Sequence, residues 1–153
     1  MIKLKKILCP IDFSICSKYA LNYAIDLSLK DDAKIYLIYV VETHLDEMRD
    51  ILKQSDLLPN NQYEEDIHAQ LNDLIPENTK KNIQVEILVV KGIPYIEIIK
   101  AAKDLLADLI VMGTHGRTGL EHILIGSVAE RVIQKAQCPV LSIRHPKQIF
   151  SLP

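Results

Sequence analysis

Short apolar segments rich in β-branched residues alternate along this chain with longer segments of helical periodicity. The apolar segments are residues 5–11, 34–41, 84–90, 108–112 and 140–144. Every connection between them is long enough to hold a helix, as parallel strands require, and continuous apolar runs are typical of strands that are covered on both faces. The sequence therefore predicts an α/β fold, an open five-stranded parallel sheet with helices on both faces.

The length and composition favour one globular domain over residues 1–153, which is long enough to bury a substantial core. Hydrophobic residues make up 48% of the chain and charged residues 25%, and the net charge of −2 supplies no basic field to attract nucleic acid. The N-terminal segment lacks the pattern of a signal peptide, and no apolar run approaches membrane-spanning length. We therefore expect a cytoplasmic protein that binds neither nucleic acid nor a membrane.

The three cysteines are Cys9, Cys16 and Cys138, and they form neither a CxxC motif nor a metal-binding spacing with histidine. Their odd number fits reduced thiols in a reducing compartment. Cys16 lies near the predicted start of the first helix, where a thiolate is favoured, and is a weaker candidate for redox sensing.

Helical periodicity fills the connections between the apolar segments. Ser14 is predicted as the N-cap of a first helix that runs to about Leu29. After the second strand, a helix is predicted over residues 44–53 and another over residues 62–74, with an apolar face formed by Ile67, Leu71 and Leu74. Another helix follows the third strand, with Pro94 at its first position.

A glycine-rich segment follows the fourth apolar run, and its glycines are Gly113, Gly116, Gly119 and Gly126. Glycines allow positive φ and let a ligand approach the backbone closely. Unpaired N–H groups at the start of the following helix would attract negative charge. The segment is therefore a candidate phosphate site or, alternatively, only a long turn between a strand and a helix.

The last helix has the Ser-x-x-Glu pattern of a capping box, formed by Ser127 and Glu130. This pattern predicts Ser127 as the N-cap, a helix that begins at Val128, and an end near Gln137, because Pro139 cannot continue the helix. The Ser127 hydroxyl therefore has two competing roles, which are capping and phosphate contact.

The carboxyl ends of the first and fourth strands carry the strongest chemical candidates, Asp12 and Gly113. For five strands the order 3-2-1-4-5 is one of the common solutions with right-handed crossovers. In that order the winding reverses between strands one and four, and ligands bind outside the carboxyl ends of strands at such a point. We therefore expect Asp12 and Gly113 to meet there, where Asp12 either contacts a ligand or caps the first helix.

Four separated motifs occur in order along the chain. They are residues 7–14 (ILCPIDFS), residues 92–94 (GIP), the Gly-x2-Gly-x9-Gly-Ser pattern that begins at Gly113 and ends at Ser127, and residues 138–141 (CPVL). Together they make nearly the whole chain resemble the universal stress protein family, whose ATP-binding branch has the glycine pattern. The resemblance implies an adenine nucleotide alpha hydrolase-like fold with strand order 3-2-1-4-5 and an adenine nucleotide, ATP, ADP or AMP, as the ligand.

The resemblance also implies a role for each candidate residue. The adenosine end would be lined by Pro10, Ile11, Asp12, Val40, Met112 and Gly113. The phosphates would meet the backbone N–H groups of Gly116, Gly126, Ser127 and Val128. Asp12 would accept hydrogen bonds from ribose hydroxyls or from a nearby backbone group, and Val40 would pack on adenine.

Two further loop residues are candidate ligand contacts on their chemistry alone. Arg117 would either pair with terminal phosphates or be a surface charge. His115 is more typical of a loop position than of a catalyst.

Strand five is last in the expected order, so one of its sides is an edge. The segment between Val140 and Arg144 has no interior proline or lysine to discourage pairing. The family resemblance implies that two subunits pair along this edge as a symmetric homodimer. Alternatively, residues after Pro146 cover the edge within one chain.

Together with these features, the family resemblance implies an ATP-binding regulatory protein of the stress response, which would act through nucleotide occupancy and dimerisation. The alternative is an enzyme, a slow ATPase or a phosphoryl or adenylyl transferase, but the sequence offers little of the charge neutralisation and positioned nucleophile that phosphoryl transfer needs.

No GxGxxG follows strand one and no Walker motif occurs, which disfavours a nicotinamide enzyme or a P-loop motor. The intact glycine and serine set disfavours a dimerisation module that has lost its ligand. The sequence does not decide whether Mg²⁺ accompanies the nucleotide.

Overall fold

The computed structural model describes residues 1–43, 61–116 and 125–144. The strands are β1 (Lys6–Pro10), β2 (Lys34–Glu42), β3 (Gln84–Gly92), β4 (Leu109–Gly113) and β5 (Val140–Ile143). The helices are α1 (Ile15–Asp31), α2 (Asn61–Asp73), α3 (Glu77–Lys80), α4 (Pro94–Leu105) and α5 (Ser127–Lys135). All strand pairs are parallel and the order is β3-β2-β1-β4-β5, which confirms the predicted fold class and topology.

Several predictions concern residues outside the described ranges: the helix over residues 44–53, the roles of Arg117 and Gly119, and the tail beyond Pro146. Within the described ranges, no helix combines the length and the apolar character needed to cross a membrane.

The helices cover both faces of the sheet, and each face has its own apolar core. Neighbouring residues of β1 serve opposite faces, because side chains alternate along a strand. Cys9 belongs to the core under α1 and α2, whereas Leu8 belongs to the core under α4 and α5. Ile67 and Leu71 of α2 are buried in the first core and Leu74 packs against it, as the helical periodicity predicted.

The start of α1 is fixed by a local cap. Ser14 has extended backbone angles, and its hydroxyl accepts a hydrogen bond from the Ser17 N–H at 3.1 Å, which confirms the predicted N-cap. The helix continues to Asp31, beyond the predicted end near Leu29. It stops there because Asp32 adopts a left-handed conformation with φ of 57° and donates its N–H to the carbonyl of Ser28.

The start of α5 differs from the sequence prediction. Ser127 is the first helical residue, Gly126 is the N-cap, and no side chain caps the helix, so the predicted capping box is wrong. A tertiary bond sets this boundary: the Gly126 N–H donates to the Thr114 carbonyl at 2.7 Å, while the Gly126 carbonyl accepts from the Glu130 N–H at 3.0 Å. The helix also ends earlier than the predicted Gln137, because Ala136 is already extended with ψ of 143°.

Gly113 permits the close contact between the end of β4 and the first turn of α1. A Cβ atom at this position would lie 2.8 Å from both the carbonyl carbon and the Cβ of Cys16, and 3.0 Å from the Ser17 nitrogen. Two of these three atoms belong to the helix backbone, which cannot move aside cheaply. The absence of a side chain at Gly113 therefore brings the start of α1 next to the β4 loop.

We predict that Gly113→Ala lowers the free energy of unfolding by about 1–3 kcal/mol, the usual cost of overpacking a well-packed site. Urea denaturation measures the effect. Gly126→Ala is the matched control. At Gly126 φ is −69°, and the atom nearest to an added Cβ is the Thr114 carbonyl oxygen at 3.1 Å. We expect this variant to lose less than about 1 kcal/mol of unfolding free energy. Equal losses in the two variants would contradict the steric role of Gly113.

Candidate functional site

A cavity of about 340 Å³ lies at the carboxyl ends of β1, β2 and β4, where the winding of the sheet reverses. Its volume lies at the lower end of the range of small-molecule pockets, roughly 300–1,000 Å³. Every predicted site residue that the structure describes lines this cavity: Pro10, Ile11, Asp12, Val40, Met112, Gly113, His115, Gly116, Gly126, Ser127 and Val128. The remaining predicted residue, Arg117, lies outside the described ranges.

The cavity also has lining residues that the sequence did not single out as site residues, namely Ser17, Ile38, Tyr39, Glu42, Pro94, Ile98, Thr114 and Ala129. Thr114 could have been found, because it lies between two predicted residues, and Pro94 belongs to a motif already recognised. Nothing in the sequence marks Ile98 as a site residue, because its spacing predicts only a core position on an amphipathic helix. It reaches the cavity because α4 packs against β2.

One wall of the cavity is apolar. Ile38 and Met112 are almost completely buried and belong to the core under α4 and α5, as does Ile98. Val40 packs against the same cluster, and Pro94 completes the wall at the start of α4. A surface of this composition suits a flat apolar group and offers few partners to a charged one.

The opposite side of the cavity is the start of α5. In an α-helix the first N–H groups have no acceptor within the helix, and here these belong to Ser127, Val128 and Ala129. All three residues line the cavity, so the partial positive charge at the start of α5 also faces the cavity. The Ser127 hydroxyl is not used for capping, so the expected competition between capping and ligand contact does not arise. This end of the cavity is suited to an anion.

The Gly126 N–H has a different role from the predicted one. It donates to the Thr114 carbonyl, which corrects the prediction that it faces a phosphate. Thr114 in turn donates its own N–H to the Ile143 carbonyl of β5 at 2.9 Å. Thr114 thus joins the end of β4, the end of β5 and the start of α5.

The side chains of Thr114 and His115 form a buried pair. Their exposed fractions are 2% and 6%, and the Thr114 Oγ1 lies 3.0 Å from the His115 Nδ1. The His115 carbonyl accepts a long hydrogen bond of 3.4 Å from the Ser14 hydroxyl. His115 is therefore a packed part of the cavity wall, held on two sides, and not a surface loop residue.

Asp12 meets both the first helix and the glycine loop. Its Oδ1 accepts the Ser14 N–H at 2.9 Å, and a Cβ atom at Gly116 would lie 2.8 Å from its Oδ2. Ser14, and not Asp12, is the N-cap of α1, so Asp12 is not merely a helix cap. A side chain at Gly116 would displace the carboxylate from this position.

The three cysteines are unpaired, as predicted. Burial raises the pKa of the Cys9 thiol to about 12, and burial is also the main cause of a raised pKa at Cys138. Cys16 is 7% exposed and packed beside Gly113, so an oxidant has little access to its sulfur. This burial weakens the redox-sensing hypothesis for Cys16. Among the described residues, no three His, Cys, Asp or Glu side chains are grouped in a way that could hold a metal ion.

The architecture and the cavity define a class: an open parallel α/β protein with a cavity at the point where strand order reverses. The sequence model of the universal stress protein family matches residues 3–144, and the chain belongs to that family.

Individual relatives agree with this assignment. Universal stress protein MJ0531 of Methanocaldococcus jannaschii is 40% identical to the chain over 94% of the chain and 84% of its own length. The solved structure of MJ0577, a hypothetical protein when its structure was described, aligns with a TM-score of 0.78 and 32% identity over 95% of this chain and 99% of its own. A universal stress protein solved in complex with cAMP aligns with a TM-score of 0.66 over 94% and 98% of the two chains, and its 21% identity supports the fold alone.

Proposed function

We propose that this protein binds an adenine nucleotide, ATP or its products ADP and AMP, in the cavity between β1, β2, β4 and α5. The observation that carries the proposal is the division of the cavity into an apolar wall and a helix start with unpaired N–H groups. A nucleotide has the same division, because its base is flat and largely apolar whereas its phosphates are anionic. In this role the protein is a stress-response regulator that acts through nucleotide occupancy and dimerisation.

The lining residues fit the parts of such a ligand in order. Val40 and Met112 would pack on adenine, with Pro10, Ile11 and Gly113 completing the adenosine end. Asp12 would accept from a ribose hydroxyl or a nearby N–H, beside Gly116. The N–H groups at the start of α5 and the Ser127 hydroxyl would bind phosphate oxygens. A protein that shares the fold was solved in complex with cAMP, which is an adenine nucleotide.

Binding is favoured over turnover by the hydrogen bonds of the candidate bases. Hydrolysis requires a group that orients and activates the attacking water. The His115 Nδ1 is engaged by Thr114, and the Asp12 Oδ1 accepts from the Ser14 backbone. A slow ATPase is the alternative function, and the state of the bound nucleotide separates the two.

Nucleotide released from the purified, denatured protein identifies the ligand by mass spectrometry. We expect ATP among the released molecules, because a cavity that binds without turnover retains the triphosphate. Recovery of ADP or AMP alone would favour the enzyme, and recovery of a flavin would contradict both functions. If nothing is recovered, titration calorimetry with ATP decides, and absence of binding up to millimolar ATP would refute the proposal.

Ser127→Ala should weaken ATP binding by about 0.5–1.5 kcal/mol through loss of one hydrogen bond, with little change in stability because the hydroxyl does not cap α5. Calorimetry and urea denaturation measure the two effects. Ser28→Ala is the matched control: the Ser28 hydroxyl donates to the Ala33 carbonyl at 2.6 Å in the core, away from the cavity. The control should lose stability and keep its affinity, and the same pattern in Ser127→Ala would contradict a phosphate contact.

The proposed homodimer uses the free side of β5. Among the described residues β5 pairs with β4 alone, and Leu141 in its middle is 36% exposed. Pairing of two β5 strands would satisfy the backbone groups of this edge and cover Leu141.

We predict that the protein sediments as a dimer at micromolar concentration and that Leu141→Lys shifts it toward monomer, because each subunit would then bring a positive charge to the paired edges. Analytical ultracentrifugation measures the mass. Leu106→Lys, at a 77% exposed position at the end of α4, should leave the mass unchanged. A monomeric wild-type protein would contradict the proposed dimer but would leave the proposed nucleotide site unaffected.

A further inference from the structure

Phe13 has a backbone conformation that a bulky residue rarely adopts. Its φ is 64°, in the left-handed region that favours glycine. The other two described non-glycine residues with positive φ, Asp32 and Leu106, are the C-caps of α1 and α4, where this conformation is common. Phe13 ends no helix, so its strained conformation has another cause.

The cause lies in the turn that Asp12 makes. Its Oδ1 accepts the N–H of Ser14, two residues ahead, and the aspartate side chain thereby closes a turn like that of a backbone carbonyl. Phe13 occupies the position of such a turn at which a type II geometry needs positive φ, the usual place for glycine. The left-handed conformation of Phe13 therefore fits a type II-like turn closed by the Asp12 side chain.

A ring contact offsets the strain at Phe13. Its ring centroid lies 5.3 Å from that of Tyr39, with the ring planes tilted by 45°, a favourable arrangement for two aromatic side chains. Tyr39 is only 5% exposed and lines the cavity, so it is a fixed partner. The Phe13 side chain also packs against the core under α1 and α2. Glycine would adopt this conformation without strain and would not need the ring contact to hold it.

The turn decides where the second oxygen of Asp12 lies. With Oδ1 bound to the Ser14 N–H, Oδ2 is next to Gly116, at the wall of the cavity. A change of Phe13 to an ordinary extended or helical conformation would alter the geometry of the turn and move the carboxylate relative to Gly116. The orientation of Asp12 therefore depends on a side chain that is not itself among the lining residues of the cavity.

We propose that Phe13 is a positioning residue for Asp12: its left-handed backbone, held by the contact with Tyr39, aims the carboxylate at the bound nucleotide. The inference rests on the proposed nucleotide-binding function for its effect on affinity. Its structural part concerns the protein alone and is measured without ligand.

The test compares Phe13→Ala with Phe13→Gly, each alone and combined with Asp12→Ala. Both Phe13 variants lose the ring and should lose stability in urea, but only alanine is also strained in the left-handed conformation. Phe13→Ala should weaken ATP binding about 5- to 30-fold. This fold-change corresponds to the free-energy cost of holding a non-glycine residue in the left-handed conformation. Phe13→Gly should bind within about 2-fold of the wild type, because glycine adopts the required φ freely. In the Asp12→Ala background, Phe13→Ala should cause no further loss, since the carboxylate that it positions is absent.

A second readout does not depend on nucleotide. In NMR spectra of the free protein, the Gly116 amide and the Asp12 carboxyl carbon should shift in Phe13→Ala and stay near their wild-type positions in Phe13→Gly. Equal affinities and spectra in the two Phe13 variants, or an undiminished effect of Phe13→Ala in the Asp12→Ala background, would overturn the positioning role while the nucleotide site stands. A wild-type protein that binds no adenine nucleotide would refute the proposed function, and the NMR comparison would still decide whether Phe13 positions Asp12.

Discussion

The parallel pairing of β1 with β4 is the constraint on which the site depends. Ile7 lies beside Leu109 and Leu8 beside Ile110, so the two strands end at the same level of the sheet. The chain leaves β1 toward one face and β4 toward the other, and a gap opens where the two connections separate. The turn at Asp12 and the glycine loop meet across this gap because the strands that carry them are hydrogen-bonded neighbours.

The three loop glycines that the structure describes serve three different contacts, although they form a single pattern in the sequence. Gly113 admits the backbone of α1, Gly116 admits the Asp12 carboxylate, and Gly126 lies against the Thr114 carbonyl. All three contacts join the loop to other parts of the protein. The glycine spacing is therefore compatible with a ligand site, but much of its immediate physical basis is close packing within the chain.

The proposed site relies on backbone groups more than on charged side chains. The described lining includes two carboxylates, on Asp12 and Glu42, and no lysine or arginine. Any anion bound there would be held by N–H groups at the start of α5 and by the orientation of that helix. Such a site needs exact placement of the backbone, and the bonds of Thr114 to Ile143 and Gly126 supply it by tying the helix start to the sheet.

The sequence alone determined the fold class and favoured one of the common strand orders for a five-stranded parallel sheet. It also identified candidate residues that the structure places around one cavity. It could do so because periodicity, glycine spacing and residues at strand ends are local signals that parallel topology brings together. The tertiary structure alone decided the start of α5, the engagement of the Gly126 N–H, the burial of His115 and the strained turn at Phe13. Each of these depends on contacts between residues distant in the chain, such as Gly126 with Thr114 and Phe13 with Tyr39, and local propensity contains no information about such contacts.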